Sequence, residues 1–396
     1  MKKSYLMIAA AVALFTACAE KDTFKDVDTQ DVAIGFTNYV GKTTKGEITT
    51  SNITDYEFGV YGWKYKEGAP STKPSIQLFD NERVYYANQD WKNKTVRYWD
   101  KSVICADLTD ANDFNGYYFY AYTPYVSGDN TVSFTRTANN AATGFTYNLG
   151  TQVFADASES ATVDLCVARA ENISYENSNT YDASITVHNT AHVAFIFNHV
   201  LSKLAFKVKK EGFHEKAEST DDPTHTVELK EIKIAFPTAT NVKWTQTSKS
   251  ADNGSISYDN SSNTSTLVQP IANSNPAPTY TTVYPTGNYT GQAVENTAAV
   301  ISGAKEYIVT PNILPAGQDN SQKHKMLLEV KYEINYHDDA TNPTIDEQTA
   351  TGEVEINFVE NCFYYLVVNI KPVKIEFDVD RIEGFTPADD VIANVQ

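Results

Sequence analysis

Residues 324–337 read HKMLLEVKYEINYH, and their alternation decides the fold. Met326, Leu328, Val330, Tyr332, Ile334 and Tyr336 share one parity, while Leu327, Glu329, Lys331, Glu333 and Asn335 share the other. A period of two sends these sets to opposite faces of a β-strand; a helix would scatter the apolar residues around its circumference. The pattern continues outward. In LSKLAFKVKK, Leu204, Phe206 and Val208 face away from Lys203, Lys207 and Lys209, a strand wet on one side. In TVELKEIKIAFP, Leu229 is followed by Ile232, Ile234 and Phe236, a parity shift that predicts a β-bulge. EVEINFVE and CFYYLVVNIKPVKIEFDV complete this half, with Pro372 marking a break or an edge.

Upstream, YEFGVYGWKY, ERVYYAN, VRYWD and GYYFYAYTPY form short aromatic strands separated by turn residues, and ATVDLCVARA, SITVHNT and HVAFIFNHV lead to His199. The first strand of all is VAIGFTNYV, Val32 to Val40, with Ile34, Phe36, Asn38 and Val40 on one parity. Ser, Thr, Asn and Gly dominate Thr245 to Ala299, where ISYDNSSNTSTLV reads as a hairpin with a polar turn. No long amphipathic helix appears. The chain is predicted to be all-β, in the manner of β-sandwiches. At 396 residues it exceeds an ordinary domain of roughly 100 to 200, so two domains are expected, 31–200 and 201–396, with the change of texture near Leu201.

The N-terminus begins MKKSYLMIAAAVALFTACAEKD. Lys2 and Lys3 precede an uncharged run from Tyr5 to Phe15, the layout of a secretory signal. As a helix that run rises only about 16 Å, half of a hydrocarbon core, so it is too short to span. Phe15-Thr16-Ala17-Cys18 resembles a lipobox, with Phe where Leu is usual. That resemblance makes 1–17 a lipoprotein signal peptide, Cys18 the lipid-attachment residue and 18–30 a polar tether.

Charge narrows the partners. The formal net charge is −18, and losing Lys2 and Lys3 with the signal takes it to −20. A balance of this sign repels phosphate backbones, so no nucleic-acid partner is expected. Beyond Cys18 stand Cys105, Cys166 and Cys362, with no C-x-x-C pair; the economical reading is small buried hydrophobes.

No catalytic residues are expected, since G-x-S-x-G, P-loop and G-x-G-x-x-G are all missing. Asp338-Asp339 and Asp389-Asp390 sit in polar, turn-like surroundings and read as solvated acids. His188, His192 and His199 crowd one stretch, yet on a strand residues four apart lie about 13 Å from each other. No metal and no cofactor are therefore expected. Aromatics leave one binding option. Trp63 and Trp99 fall in alternating strands and read as core, whereas Trp91 in NQDWKNK and Trp244 in NVKWTQT lie in polar surroundings and are the candidate glycan contacts.

Taken in order, the lipobox cysteine, IGFTNYVGKTTKG, YEFGVYGWKY, VRYWD, YYFYAYTPY, DLCVARAE and VAFIFNHVLSKLAFKVK resemble the fimbrillin-like (Mfa-like, type V pilin) surface lipoproteins of Bacteroidales. The resemblance covers most of the mature sequence. It implies two tandem transthyretin-like β-sandwich domains and a non-enzymatic subunit or accessory protein of type V fimbriae. Such a protein is lipid-anchored to the outer membrane, exposed at the cell surface or in the fimbrium, and adhesive toward a host protein or glycan. It also implies assembly with other fimbrial subunits, in a homo- or hetero-polymer, by β-strand exchange after proteolytic loss of the first strand. Mapped here, the exchanged strand carries Ile34, Phe36 and Val40, and the cut falls in GKTTKG after Lys45. The chain departs from the family in two places. The first Arg is Arg83, so a cut at Lys45 needs a protease that accepts Lys, and the C-terminal FTPADDVIANVQ lacks the family's frequent Trp. The alternative function is a surface glycan-binding lipoprotein for polysaccharide capture.

Overall fold

The computed structural model describes residues 32–40, 48–49, 51–64, 76–100, 116–128, 132–136, 142–150, 154–157, 163–173, 192–213, 225–238, 242–246, 255–258, 268–286, 291–311, 323–336, 344–372, 374–383, 386–387 and 391–393. Cys18, Lys45, Cys105, His188 and the acid pairs 338–339 and 389–390 lie outside these residues.

The first half supplies β1 (Gly35–Val40), β2 (Phe58–Lys64), β3 (Ile76–Ala87), β4 (Asp90–Asn93), β5 (Tyr117–Thr123), β6 (Val132–Arg136), β7 (Ala142–Gly150), β8 (Phe154–Asp156), β9 (Cys166–Ile173) and β10 (His192–His199). The second supplies β11 (Ser202–Lys210), β12 (His225–Ala235), β13 (Val242–Gln246), β14 (Ser255–Tyr258), β15 (Thr281–Tyr284), β16 (Gln292–Ala293), β17 (Ala299–Val300), β18 (Tyr307–Val309), β19 (His324–Tyr336), β20 (Thr344–Ile356), β21 (Cys362–Lys371), β22 (Lys374–Glu383), β23 (Thr386–Pro387) and β24 (Val391–Ala393). One 3-10 turn, Ile53–Asp55, is the sole helical element among the described residues. The fold is all-β.

A seven-stranded sheet runs β1-β10-β9-β5-β2-β3-β4. Aromatic and β-branched residues fill both of its faces. Phe58, Val60, Phe119 and Ala121 enter one core, and Tyr61, Trp63 and Tyr122, of opposite parity, enter another. Trp63 and Trp99 are buried, as their alternating context predicts.

The second half is a sandwich. One sheet follows β23-β22-β21-β11-β18-β8 and the other β15-β12-β19-β20. Between them lie Leu204, Phe206 and Val208 of β11, Met326, Leu328 and Val330 of β19, and Leu366, Val368 and Ile370 of β21. The outward face of β19 is charged, and Lys325 pairs there with Glu353 at 2.5 Å. The predicted bulge appears as a register shift between Leu229 and Glu231. Pro372 lies in the turn joining β21 to β22.

Two segments cross the division at 200/201. β8 pairs with β18 in the second half's sheet, while β13 and β14 extend a four-stranded sheet, β14-β13-β7-β6, begun in the first half. Ser255–Tyr258, the first arm of the expected hairpin in ISYDNSSNTSTLV, pairs back onto Val242–Thr245, while 259–267, its turn and second arm, lie outside the described residues. Trp244 thereby reaches the first half's aromatic core.

Candidate functional site

The first strand forms a seam. It begins later than the sequence pattern suggests, at Gly35, because Val32 to Ile34 leave its line and turn to a different neighbour. The Ile34 amide donates to the Arg97 carbonyl at 2.8 Å, the Trp99 amide donates to the Val32 carbonyl at 3.0 Å, and Ala33 bridges Tyr98. From Gly35 onward the strand runs parallel to β10, Gly35 opposite His192 and Val40 opposite Phe197. The seven-stranded sheet thus rolls until the region after β4 meets the region before β1.

Side chains lock the seam. Ile34 is 2 % and Phe36 1 % exposed. The Phe36 ring lies 5.2 Å from Phe79, 5.8 Å from Phe119 and 5.8 Å from Phe195, so it touches rings from three other strands. Such pairs add about 0.5–1.5 kcal/mol each beyond area burial. Two features of the strand are tighter or poorer than its neighbours. A Cβ built on Gly35 would stand 1.8 Å from His192 Cδ2, so the imidazole occupies the space any other residue would need. Asn38 has both amide atoms buried and without a hydrogen-bond partner among the described residues. Burial lowers the His192 pKa against the opposing pull of Asp90, so the ring is neutral at pH 7.

Chain continuing past the seam returns at Ile48, which is buried, and its amide donates to Asp164 Oδ2 at 3.3 Å. Asp164 belongs to a buried cluster missed by sequence reasoning, since His199, at the end of β10, is more than thirty residues from Asp164 and Cys166 at the start of β9. His199 Nδ1 lies 2.7 Å from Asp164 Oδ1 and 3.3 Å from Cys166 Sγ. Burial disfavours a charged His199, but Cys166 and Asp164 outweigh it and hold the pKa well above the ordinary value. Burial pushes the Cys166 thiol up to about 11. The cluster has no nucleophile's geometry, because thiol and carboxylate share one ring nitrogen, and the thiol stays protonated. Although the three ligand atoms fall within 4.8 Å, the 2.7 Å separation is a hydrogen bond; tetrahedral zinc would hold such N and O atoms about 3.3 Å apart. This is an ion pair anchoring Ile48.

The candidate glycan contacts separate. Trp244 is fully buried, and its Nε1 donates to Glu360 Oε1 at 3.2 Å, so no face remains for a sugar. Its polar sequence surroundings misled because β13 joins a sheet of the other half. Trp91 is half-buried on the outer strand β4, 5.0 Å from Phe58 and 5.2 Å from Tyr86. Tyr85, Tyr86 and Tyr98 are exposed.

No family model matches the chain, and no curated protein does. Solved structures do match. A fimbrial protein from Bacteroides vulgatus aligns at 17 % identity and TM-score 0.55, covering 90 % of this chain and 100 % of its own. The chain is similar in fold to a Bacteroides fimbrial protein. A fimbrial assembly protein from Parabacteroides distasonis aligns at 9 % identity and TM-score 0.35, covering 92 % of this chain and 98 % of its own.

Proposed function

We propose that this chain is a non-enzymatic fimbrial subunit or accessory protein, exported as a lipoprotein, anchored to the outer membrane through Cys18 and displayed at the cell surface. In this reading it joins other subunits by strand exchange and contributes to adhesion. Its two halves correspond to the transthyretin-like pair that the family resemblance implies. The observation that carries the reading is the seat of β1. The segment 32–40, bonded to Arg97–Trp99 through Val32–Ile34 and to β10 through Gly35–Val40, with Phe36 in a ring-lined pocket, would leave both of those edges unpaired and the pocket empty if it departed. Backbone groups would then supply affinity for an incoming strand, and alternate side chains its register. The fimbrial fold neighbour favours the same role.

Limited trypsin digestion of the mature protein is the test. A cut at Lys45 followed by SDS-resistant ladders is expected, together with a mass spectrum showing an acylated Cys18. Digestion at Lys45 that leaves only monomer, or an unmodified thiol at residue 18, would sink the proposal.

A second reading, glycan capture, now rests on Trp91 and Tyr86, whose rings meet 5.2 Å apart at the edge of the sheet. Retention on polysaccharide affinity gels, lost on Trp91→Ala, would favour it.

A further inference from the structure

The resident strand does not fit its groove equally well at every position. Ile34 and Phe36 are fully seated, whereas Asn38, on the same parity and opposite Phe195, keeps a carboxamide buried with neither atom paired among the described residues. An unsatisfied buried amide costs about 1–3 kcal/mol, and replacing it with an apolar group of the same shape removes that cost. Between these positions Gly35 faces His192. The ring lies where a Cβ would be, 1.8 Å from Cδ2 and 2.3 Å from Nε2, so a side chain there must displace an imidazole packed at the head of β10.

Resting on the strand-exchange reading above, we propose that the β1 groove selects its incoming strand by a glycine opposite His192 and an apolar side chain at the Asn38 position. Resident β1 satisfies the first requirement and fails the second. It is therefore a placeholder, and the strand that replaces it has the pattern apolar-Gly-aromatic-x-apolar in the register of residues 34 to 38. The better fit at the last position supplies a driving force for exchange that needs no external energy source.

The full mature chain tests this in two stages. In the first, hydrogen exchange is measured at the amides of Phe36 to Val40 in wild type, Asn38→Leu, Gly35→Ala, His192→Ala and the Gly35→Ala/His192→Ala double variant. Asn38→Leu should slow exchange about tenfold and Gly35→Ala should speed it at least about tenfold. The double variant should return to within about threefold of His192→Ala alone. In the second, the chain nicked by trypsin between Val40 and Ile48 is offered fluorescent peptides spanning residues 32–41. The Asn38→Leu peptide should displace resident β1 better than the wild-type peptide. The Gly35→Ala peptide should do so only on the His192→Ala protein. Equal behaviour of all three peptides, or a Gly35→Ala defect that His192→Ala does not relieve, overturns the proposed selectivity. If the first stage gives the expected ranking but no peptide exchanges, the exchange reading fails and the side-chain preferences of the groove stand.

Discussion

Phe36→Ala measures how firmly the seam is held. The side chain is 1 % exposed and its ring contacts Phe79, Phe119 and Phe195 at 5.2–5.8 Å, so truncation removes a large buried group from a packed site. Phe→Ala changes in cores cost about 3–5 kcal/mol, a figure that already contains the ring–ring contribution. At about 1.4 kcal/mol per factor of ten, β1 should open between about a hundred and several thousand times more often. Native-state hydrogen exchange reads this directly. Amides of Thr37 to Val40 should lose protection by that factor, while those of Leu204 to Val208 in β11, in the other half's core, should keep theirs. Thr37→Ala, one residue along with its side chain on the opposite parity, is the control and should change protection by less than about 0.5 kcal/mol. Should Phe36→Ala cost less than about 1 kcal/mol, or no more than Thr37→Ala, the ring pocket does not hold the strand and the seam loses its importance.

Other substitutions address the junction and the surface. Burial pushes the Glu360 carboxyl up to about 7 against the lowering effect of the Trp244 indole, so the folded state binds the proton more tightly than the unfolded chain. Stability should be greatest below the ordinary value near 4.5 and fall as pH rises to about 7, by at most about 3 kcal/mol; urea titrations of Glu360→Gln should lack that slope. Asp164→Asn removes the partner of a buried imidazolium and weakens the hold on the Ile48 amide, so it should cost about 3–5 kcal/mol in urea unfolding. The raised His199 pKa contributes stability below about 6.5 that is lost as pH rises through the folded value, and Asp164→Asn should shrink that loss as well. Trp244→Ala should destabilise by about 3–5 kcal/mol in thermal or urea unfolding, whereas half-buried Trp91→Ala should cost less than half as much.

Much of this architecture is legible in the chain because burial on one face writes itself as alternation. Met326 through Ile334 alternates as β19 does, and the bulge in β12 appears as the phase change between Leu229 and Ile232. Ile34 and Phe36 likewise announce a buried face. What periodicity carries no record of is partnership. Nothing local in VKWTQ says that β13 pairs with β7, about a hundred residues earlier, so Trp244 reads as a surface residue among polar neighbours. Asp164, Cys166 and His199 are equally silent, since Asp164 and Cys166 at the start of β9 and His199 at the end of β10 meet only through the β9–β10 pairing, Cys166 opposite His199. Gly35 against His192 belongs to the same class. The glycine reads as an ordinary break in a strand pattern until the parallel partner is known.

The two faces of the seven-stranded sheet explain how one strand could leave without the half unfolding. Phe36 belongs to the core containing Phe58, Val60, Phe119 and Phe195. The opposite parity of the same strands, Tyr61, Trp63 and Tyr122, packs against Phe145 and Tyr147 of β7 and Val242 and Trp244 of β13. Among the described side chains, none of β1 belongs to that second core. That core is tied to the second half by the Trp244–Glu360 hydrogen bond and by the Asn361 amide donating to the Leu201 carbonyl at 3.1 Å. Chain re-entering at Ile48 is fixed separately by Asp164. Departure of the segment carrying β1 therefore takes Ile34 and Phe36 out of one core, while separate contacts hold the other face, the junction and the new beginning of the chain. A sheet whose edge strand supplies a few side chains to one core, and whose other face is covered by a different part of the protein, can lose that strand and keep its shape, as strand exchange requires.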